Sequence, residues 1–260
     1  MEIDLDFNRR PKASPASRSL GEGWNTADRV NVLIDAALEA DDRARAPRDY
    51  LGASRLGDPC LRRLQYEYTH TPRDEGAHLN GRTLRIFAAG HAFEDLAVRW
   101  LRSAGFDLRT RDRGGEQFGF SVAGGRIRGH IDGVLCGGAP GFAYPALWEC
   151  KTANAKGWRE IVRRGVAVAR PVYAAQVALY QAYMDLAGAP ALFTVVNKDT
   201  SELWHELLPF DAALAQRVSD KAVQILRATD AGELMPRVAA NPDHHECAGC
   251  AWKARCWAHG

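Results

Sequence analysis

The sequence lacks several features that would assign it at once to a broad class of proteins. Its 260 residues contain no apolar run of membrane-spanning length, and its acidic, polar start, Met1 to Asp4, is unlike a signal peptide. We therefore expect a cytoplasmic protein. The formal net charge is only +2, so any binding of nucleic acid must come from a local basic groove rather than from bulk charge. Internal repeats, which would indicate a solenoid, are also missing.

What remains is the composition of an ordinary globular protein, with 46% hydrophobic and 25% charged residues. The length suffices for one large domain or two small ones. Residues 1–24 mix charge, proline, serine and glycine with little periodicity, which predicts a flexible N-terminal arm. We expect residues 25–260 to form a single domain.

Cysteine is scarce, with six residues, but three of them are concentrated near the C-terminus. Cys247, Cys250 and Cys256 form a Cys-x2-Cys-x5-Cys pattern, and three such close thiols cannot all pair with one another. In a cytoplasmic chain this spacing favours chelation of a metal by thiolates. Cys60 is the best candidate for a fourth ligand.

Other fourth ligands stay open. Cys136 and Cys150 are poorer candidates because they fall in the hairpin described next. The histidines near the cysteine pattern keep a Cys3His zinc site open; they are His244, His245 and His259. Thiolate ligation by itself permits either zinc or an iron–sulfur cluster.

Residues 129–135 and 147–152 are predicted to form the two strands of a β-hairpin joined by a glycine-rich turn. Side chains alternate along a strand, so Glu149 and Lys151 share one face. The residues between them point the other way, into a core. Asp132 lies between glycines on the neighbouring strand. The pattern therefore places two carboxylates and a lysine together.

This constellation suits metal-dependent hydrolysis. Two carboxylates can hold a hard divalent cation such as Mg²⁺, and Lys151 can orient or deprotonate a water or stabilise developing negative charge. The alternative is an ordinary cross-strand ion pair. The glycines that flank Asp132, Gly129 and Gly133, favour a site because a ligand could approach the backbone there.

Three helices surround the hairpin in sequence. The first, at about 84–104, carries His91 and Glu94 on one face, either as functional groups or as a core histidine and a surface acid. A short basic helix at 155–165 is the first candidate for contact with DNA through Lys156, Arg159, Arg163 and Arg164. The third, at 171–188, places Gln176 and Tyr180 on one face.

The remaining elements follow from periodicity and turn signals. Asp58 and Pro59 predict a helix start with Cys60 in the first turn, where the helix dipole favours a thiolate. We also expect helices at 26–45 and 211–229, the latter being the final helix. The predicted strands are 106–111, 116–122, 126–135, 146–152, 191–199 and 202–209.

In this order, the His91, Asp132, Glu149-x-Lys151 and Gln176-x3-Tyr180 motifs resemble the PD-(D/E)XK nuclease superfamily and its RecB-like members over roughly residues 50–260. The usual proline before the aspartate is absent here. The resemblance implies a restriction-endonuclease-like α/β fold, with a mixed central sheet flanked by helices. It implies one or two Mg²⁺ or Mn²⁺ ions held by His91, Asp132, Glu149 and the main-chain carbonyl of Cys150. Lys151 would position and activate the attacking water, with Gln176 and Tyr180 orienting Lys151 or the DNA.

One remote cysteine followed by three near the C-terminus also resembles the RecB-like iron–sulfur nucleases, which include AddB and CRISPR-associated exonucleases. The resemblance implies a [4Fe–4S] cluster on Cys60, Cys247, Cys250 and Cys256 that joins the ends of the domain, with structural zinc as the alternative. Such a staple would enclose the 186 residues between Cys60 and Cys247.

The expected activity is Mg²⁺- or Mn²⁺-dependent hydrolysis of DNA by an exonuclease that acts on single strands or DNA ends and leaves 5′-phosphates. Recombination or repair is the expected process, and a phage is one setting that would suit such a protein. One alternative is a DNA-end-binding subunit of a recombination or CRISPR adaptation complex that cuts little or not at all. A sequence-specific endonuclease is disfavoured because no second recognition domain is evident.

Overall fold

The computed structural model describes residues 25–258, so the predicted arm and His259 lie outside the described residues. The helices in chain order are α1 (Thr26–Ala44), α2 (Leu61–Tyr68), α3 (Gly81–Ser103), α4 (Ala155–Arg164), α5 (Val166–Ala169), α6 (Pro171–Tyr183), α7 (Ala212–Asp230), α8 (His245–Ala248) and α9 (Lys253–Ala258). The strands are β1 (Leu51–Gly52), β2 (Leu108–Arg109), β3 (Gly119–Val122), β4 (Ile127–His130), β5 (Gly133–Leu135), β6 (Ala146–Ala153), β7 (Ala191–Asn197) and β8 (Leu203–Leu208). The class is mixed α/β, as predicted.

A five-stranded sheet in the order β2-β5-β6-β7-β8 forms the centre of the fold. β6 and β7 run parallel, and the other neighbours run antiparallel. Buried side chains alternate between its faces: Leu147 and Phe193 join one apolar cluster with α6 and α7, whereas Trp148 and Leu192 join another with α3. This period of two is the pattern of a strand covered on both faces. Helices therefore cover both faces of the central strands.

The chain passes from one sheet to the other at Asp132. The predicted strand 126–135 is wrong as a single element, because β4 and β5 are separated at Ile131 and Asp132. β4 belongs to a second sheet of three strands, β1-β4-β3, while β5 belongs to the central sheet. The predicted single mixed sheet is thus two mixed sheets. Their junction places Asp132 in a break between strands.

Several predicted helix limits need correction. Cys60 is the residue before α2 rather than part of its first turn, and its backbone N–H is held by the buried carboxylate of Asp58 at 2.9 Å. α6 ends at Tyr183, five residues before the predicted end at Gly188. The helix α7, capped by Asp211, is followed by the short helices α8 and α9, so it is not the last.

The described residues divide into two compact units. The smaller comprises the residues up to Ala46 together with Leu79–Arg85, and the larger comprises Pro47–His78 and the residues from Ile86 onward. Within the smaller unit Asp35 of α1 pairs with Arg85, but no residue of α1 is buried. Three large apolar residues of α1 are exposed, namely Val30, Leu33 and Ile34.

Across residues 25–258, every helix is too short or too polar to cross a membrane.

Candidate active site

Asp132 is fixed by backbone contacts on both sides of the strand break. The N–H of Ile131 donates to Phe118 O at 3.0 Å, and Gln117 Nε2 donates to Ile131 O at 3.1 Å. The Asp132 carboxylate itself accepts the backbone N–H of Cys150 at 2.8 Å. One carboxylate oxygen is therefore held against the strand that carries Glu149 and Lys151.

The predicted β5–β6 hairpin is confirmed, with Gly133 opposite Trp148. Lys151 Nζ contacts the Glu149 carboxylate and lies 3.9 Å from Asp132 Oδ2. Glu149 is completely buried, and its Oε2 has no hydrogen-bond partner among the described residues. A buried carboxylate oxygen without a donor is costly unless a cation or a water satisfies it.

The helix α6 supplies the next contacts. Gln176 Nε2 donates to Glu149 Oε1 at 2.6 Å and lies 3.2 Å from Tyr180 OH. Both residues are buried and share one helix face, as their spacing predicted. The structure thus joins Gln176 to Glu149 rather than to Lys151. Tyr173, on the same helix, places its ring 5.8 Å from Lys151 Nζ.

The glycines that flank Asp132 have a packing role, which corrects their interpretation as openings for a ligand. A Cβ on Gly129 would lie 2.6 Å from both Phe120 and Tyr180. A Cβ on Gly133 would lie 2.7 Å from Leu108 and 2.9 Å from Arg109 O. Both distances are shorter than real contacts, so only glycine lets these neighbours approach.

The charges of this cluster shift one another. Burial, and then repulsion by Asp132, raises the pKa of Glu149 to about 8 although Lys151 opposes the shift. Burial disfavours the charged form of Lys151, but Glu149 and Asp132 outweigh burial and raise the pKa of the ammonium. Lys151 therefore stays protonated in this arrangement. It can therefore donate hydrogen bonds and stabilise negative charge.

Glu94 on α3 belongs to the same electrostatic cluster. Burial raises the pKa of Glu94, and repulsion by Asp132 raises it further, against the opposing effect of His91. Sequence reasoning left Glu94 open between a functional acid and a surface residue. The sequence signal for a functional acid was its position three residues after His91, on the same helix face. That face begins at Gly90, where an added Cβ would lie 3.7 Å from the Thr152 side chain of β6.

His91 is not a core histidine. Its side chain is 82% exposed, and Nδ1 lies 3.6 Å from Glu94 Oε2. The imidazole therefore reaches the carboxylate cluster through Glu94. This placement leaves the ring accessible to a ligand.

The donor set of the hairpin fits a hard divalent cation. Asp132 and Glu149 supply carboxylate oxygens, the unpartnered Oε2 of Glu149 is available, and Lys151 balances their charge. Within residues 25–258, however, no three His, Cys, Asp or Glu side chains are gathered closely enough to hold a metal ion. Lys151 takes up the space between the two carboxylates.

The three C-terminal cysteines and Cys60 line one common cavity. Cys60 and Cys247 are buried, whereas Cys250 and Cys256 are partly buried, and all four are free thiols. Burial raises the pKa of Cys250, and the neighbouring Cys60 and Cys256 raise it further against the effect of Arg63. The remote cysteine is thus brought to the C-terminal pattern.

The other candidate ligands lie elsewhere. Cys150 is buried in the α3-side cluster, Cys136 packs beside the α6-side core, and neither lines the cavity. His244 Nδ1 accepts the N–H of Glu246, and the side chain of His245 is 79% exposed. Neither histidine lines the cavity.

Arginines surround the thiols. Arg62 Nη1 lies 3.9 Å from Cys256 Sγ, and Arg237 donates to Cys256 O at 2.7 Å. Arg63 bonds both the carbonyl and the carboxylate of Glu246 at 3.0 Å. Four soft thiols with nearby positive charge are a donor set that suits a soft metal, because the arginines offset the charge of ionised sulfur. In the described part of the chain, however, no three of these cysteines lie close enough together to hold an ion, so the predicted cluster is not shown.

The basic helix α4 exposes most of its cations. Lys156, Arg159 and Arg163 are exposed. Arg164 is exposed as well, but it pairs with Glu160 at 3.1 Å, and Glu160 also binds Arg170 at 2.8 Å. Three of the four predicted DNA contacts therefore stand without an ion pair in the described part of the chain.

Solved structures of low sequence identity resemble this fold. One is described as SSO0001, at 15% identity and a TM-score of 0.48, with 88% of this chain and 97% of that chain covered. Another is an alkaline exonuclease, LHK-Exo, from Laribacter hongkongensis, at 16% identity and a TM-score of 0.49, with 76% and 93% covered. A third is LHK-Exo in complex with dAMP, at 16% identity and a TM-score of 0.47, with 70% and 89% covered.

Sequence comparison is more decisive. No curated protein sequence matches the chain. A family model described as the PD-(D/E)XK nuclease superfamily matches residues 29–257. This range contains the hairpin, the α6 residues and all four cysteines of the cavity. Because the match spans most of the sequence, the chain belongs to the PD-(D/E)XK nuclease superfamily.

Proposed function

We propose that the protein is a metal-dependent deoxyribonuclease, an exonuclease that hydrolyses single strands or DNA ends. The observation that carries the proposal is the buried network of Glu149, Lys151, Asp132 and Gln176, with one carboxylate oxygen left unpartnered. Buried charge at this density lowers the stability of the fold, so its presence indicates that it serves a ligand or a reaction. Membership of a nuclease superfamily supplies the reaction class.

Asp132, Glu149 and the main-chain carbonyl of Cys150 would hold Mg²⁺ or Mn²⁺, with His91 and Glu94 beside them. A bound divalent cation supplies an acidified water and charge stabilisation at a phosphoryl group. Lys151 stays protonated, so its role is to hold the attacking water and to donate to a phosphate oxygen as negative charge develops. Gln176 keeps the Glu149 carboxylate oriented.

The decisive experiment is a cleavage assay on end-labelled single-stranded and duplex DNA with Mg²⁺, Mn²⁺ or EDTA. The parental protein should release nucleotides that carry 5′-phosphates, only with metal, while Asp132→Ala should release none. Asp220→Ala is the matched control, because this exposed acid on α7 lies outside the hairpin network. Equal cleavage by the Asp132 variant would show that this assignment is wrong.

The alternative is a DNA-end-binding subunit of a recombination or CRISPR adaptation complex. The complete set favours the nuclease, because Lys151 Nζ contacts the Glu149 carboxylate and lies 3.9 Å from Asp132 Oδ2. Metal-independent end binding without cleavage of any tested substrate would favour the alternative.

For the cysteine cavity we propose a [4Fe–4S] cluster on Cys60, Cys247, Cys250 and Cys256. The support is that all four thiols line one cavity beside Arg62 and Arg63, together with the motif order of the RecB-like nucleases. Purification without oxygen followed by a visible spectrum and metal analysis tests it. A brown, iron-containing protein is expected. A colourless protein with one zinc per chain would replace iron by zinc on the same ligands.

A further inference from the structure

A cavity of about 500 Å³ opens beside the candidate active site, on the side away from α6. Asp132 and Glu94 line one part of it, and the rest is lined mainly by charged side chains, namely Asp95, Arg99, Arg102 and Arg111. Its volume lies in the range of pockets for small ligands, about 300–1,000 Å³. The cavity thus joins the carboxylates of the hairpin to three arginines.

One wall is a face of α3. Asp95 and Arg99 are four residues apart, and Arg102 follows three residues later, so all three lie on one side of the helix. The same face continues to Glu94. Because the helix is rigid and each turn adds length, Arg99 and Arg102 lie at increasing distances from the carboxylates at the start of this face.

The opposite wall is tied to the active site. Arg111 and Gln117 form an isolated β-bridge, and the Gln117 side chain bonds the carbonyl of Ile131, next to Asp132. Asp112 closes the intervening turn by accepting the N–H groups of Gly114 and Glu116. The position of Arg111 is therefore coupled to that of Asp132.

The arginines retain donors for a ligand. Arg102 Nε donates to Leu108 O at 2.9 Å, and Arg111 Nη1 donates to Gly115 O at 2.8 Å. Each bond uses one of five guanidinium N–H groups and orients the rest. Arg99 is exposed and has no ion pair or hydrogen bond within residues 25–258. Oriented guanidinium groups with unused donors suit phosphate oxygens.

We infer that this cavity binds the nucleic-acid strand next to the phosphate that is cleaved, with Arg99, Arg102 and Arg111 on neighbouring phosphates of a single strand. The inference rests on the proposed nuclease function. A double helix far exceeds a space of this size, whereas a nucleotide fits. Among the described residues, none that lines the cavity is aromatic and Val98 is the apolar one, so the cavity holds the strand through phosphates rather than through bases.

The inference differs from the sequence prediction, which assigns DNA binding to α4. It also predicts binding without sequence preference, because phosphate contacts carry no base information. The test is therefore the double variant Arg99→Gln/Arg111→Gln. Glutamine removes the charge without placing new negative charge beside the carboxylates. The matched control is Arg217→Gln/Arg227→Gln, which neutralises two exposed arginines of α7 outside the cavity.

Binding is measured in a Lys151→Ala background by anisotropy of a fluorescein-labelled thymidine 20-mer over a salt series. Loss of two phosphate contacts should weaken binding on the order of tenfold at low salt and flatten the salt slope by about 1.4, since each contact to a single strand contributes about 0.7. The α7 control should keep both values. Affinity and slope equal to those of the Lys151→Ala parent would overturn the inference.

Cleavage is measured separately with Lys151 intact. Arg99→Gln/Arg111→Gln should raise KM and change kcat by less than about twofold, because these arginines hold the strand and not the reacting atoms. A parental protein that does not cut would refute the proposed function, and the binding assay would still decide the inference. Arg99→Gln alone is the second variant if the double variant unfolds, because Arg99 leaves no partner unsatisfied. Its slope should fall by about 0.7, and an unchanged slope overturns the inference equally.

Discussion

The hairpin site and the cysteine cavity use buried polar groups in opposite ways. At the hairpin, Asp132 and Glu149 repel each other in a buried setting, and Lys151 holds them together. Around the cysteine cavity, hydrogen bonds connect segments far apart in sequence: Arg62 donates to Met235 O at 2.6 Å, and Trp252 donates to Thr71 O at 2.8 Å. We propose that the first arrangement serves a reaction at the expense of stability. The second closes the chain.

This contrast predicts that the two regions fail differently. Substitutions at the hairpin should lower activity far more than stability, although removal of Lys151 also costs some stability because it leaves two carboxylates without their cation. Substitutions at the cavity should lower stability first and activity only through lost structure. The experiments on Lys151, Cys60 and Gln176 measure both activity and stability, so that each can contradict this contrast.

The largest expected effect is on the rate of Lys151→Ala. Removing a preorganised charged donor costs about 10²–10³-fold in kcat, and here it also leaves Glu149 and Asp132 without their cation. Melting temperature and end-labelled DNA cleavage are measured together. The control is Lys198→Ala, in the turn between β7 and β8, which should cut normally. A Lys151 variant with the parental rate would remove the hairpin from catalysis.

The next effect is on the stability of Cys60→Ser. A staple that joins Cys60 to the C-terminal cysteines closes a long loop, and such closure is worth on the order of 4 kcal/mol. For a chain of this size the melting temperature should fall by about 10 °C. Metal content should fall with it. Cys136→Ser is the control, because Cys136 does not line the cavity.

A Cys60→Ser variant with full metal content would contradict the four-cysteine assignment. A variant that loses metal and activity but keeps its melting temperature would break the contrast itself, because the cavity would then serve the reaction directly.

The sequence predicts the positions of the hairpin and α6 residues better than it predicts the strand break, for a physical reason. Glu149, Lys151, Gln176 and Tyr180 lie on regular elements, so their spacing alone predicts which faces they share. The break at Asp132 was not predictable, because residues 127–135 read as one continuous strand and only pairing with β3 and β6 separates β4 from β5. Tertiary pairing, not local propensity, decides the junction.

The arginine cavity was missed for a related reason. Arg99 and Arg102 share a helix face that sequence can identify, but Arg111 joins them only through the turn at Asp112 and the bond from Gln117 to Ile131. The basic helix α4 was predicted to bind DNA because its four cations lie within one short stretch of sequence. Contiguity in the chain is a poor guide to a groove built from separate elements.

A medium effect is expected for Gln176→Leu. Its amide donates to the buried Glu149 carboxylate at 2.6 Å, so the loss should cost about 1.5–3 kcal/mol of orientation and hydrogen bonding. At the active site this corresponds to roughly tenfold or more in kcat. Gln181→Leu is a buried control on the same helix, bonded to Ala189 O instead. It should lower stability while keeping kcat.

Gln176→Leu with unchanged kcat and lower stability would make Gln176 a structural residue. The hairpin would then depend on Lys151 alone to hold Glu149.

A smaller effect concerns pH. The Glu149 proton competes with a bound cation, because burial and Asp132 raise the pKa of Glu149 to about 8. The Mg²⁺ concentration for half-maximal cleavage should therefore fall as pH rises towards about 8 and level off above it. The folded state holds this proton more tightly than the unfolded state, so the contribution of Glu149 to stability falls over the same rise. A metal requirement that does not change between pH 6 and 9 would contradict the coupling.

The smallest effect is expected at α4, where sequence first placed the DNA. Arg164 is already paired with Glu160, so Arg163→Gln/Arg164→Gln removes about one unpaired charge from an exposed helix surface. Its binding slope for the thymidine 20-mer should fall by about 0.7 at most, and its affinity by only a few-fold. Arg99→Gln/Arg111→Gln removes the same formal charge from a cavity that contains Asp132. The two double variants therefore remove the same formal charge, but the α4 variant removes one unpaired cation and the cavity variant removes two. If the α4 variant lost more binding affinity than the cavity variant, strand binding would be assigned to α4, and the proposal for the hairpin would be unaffected.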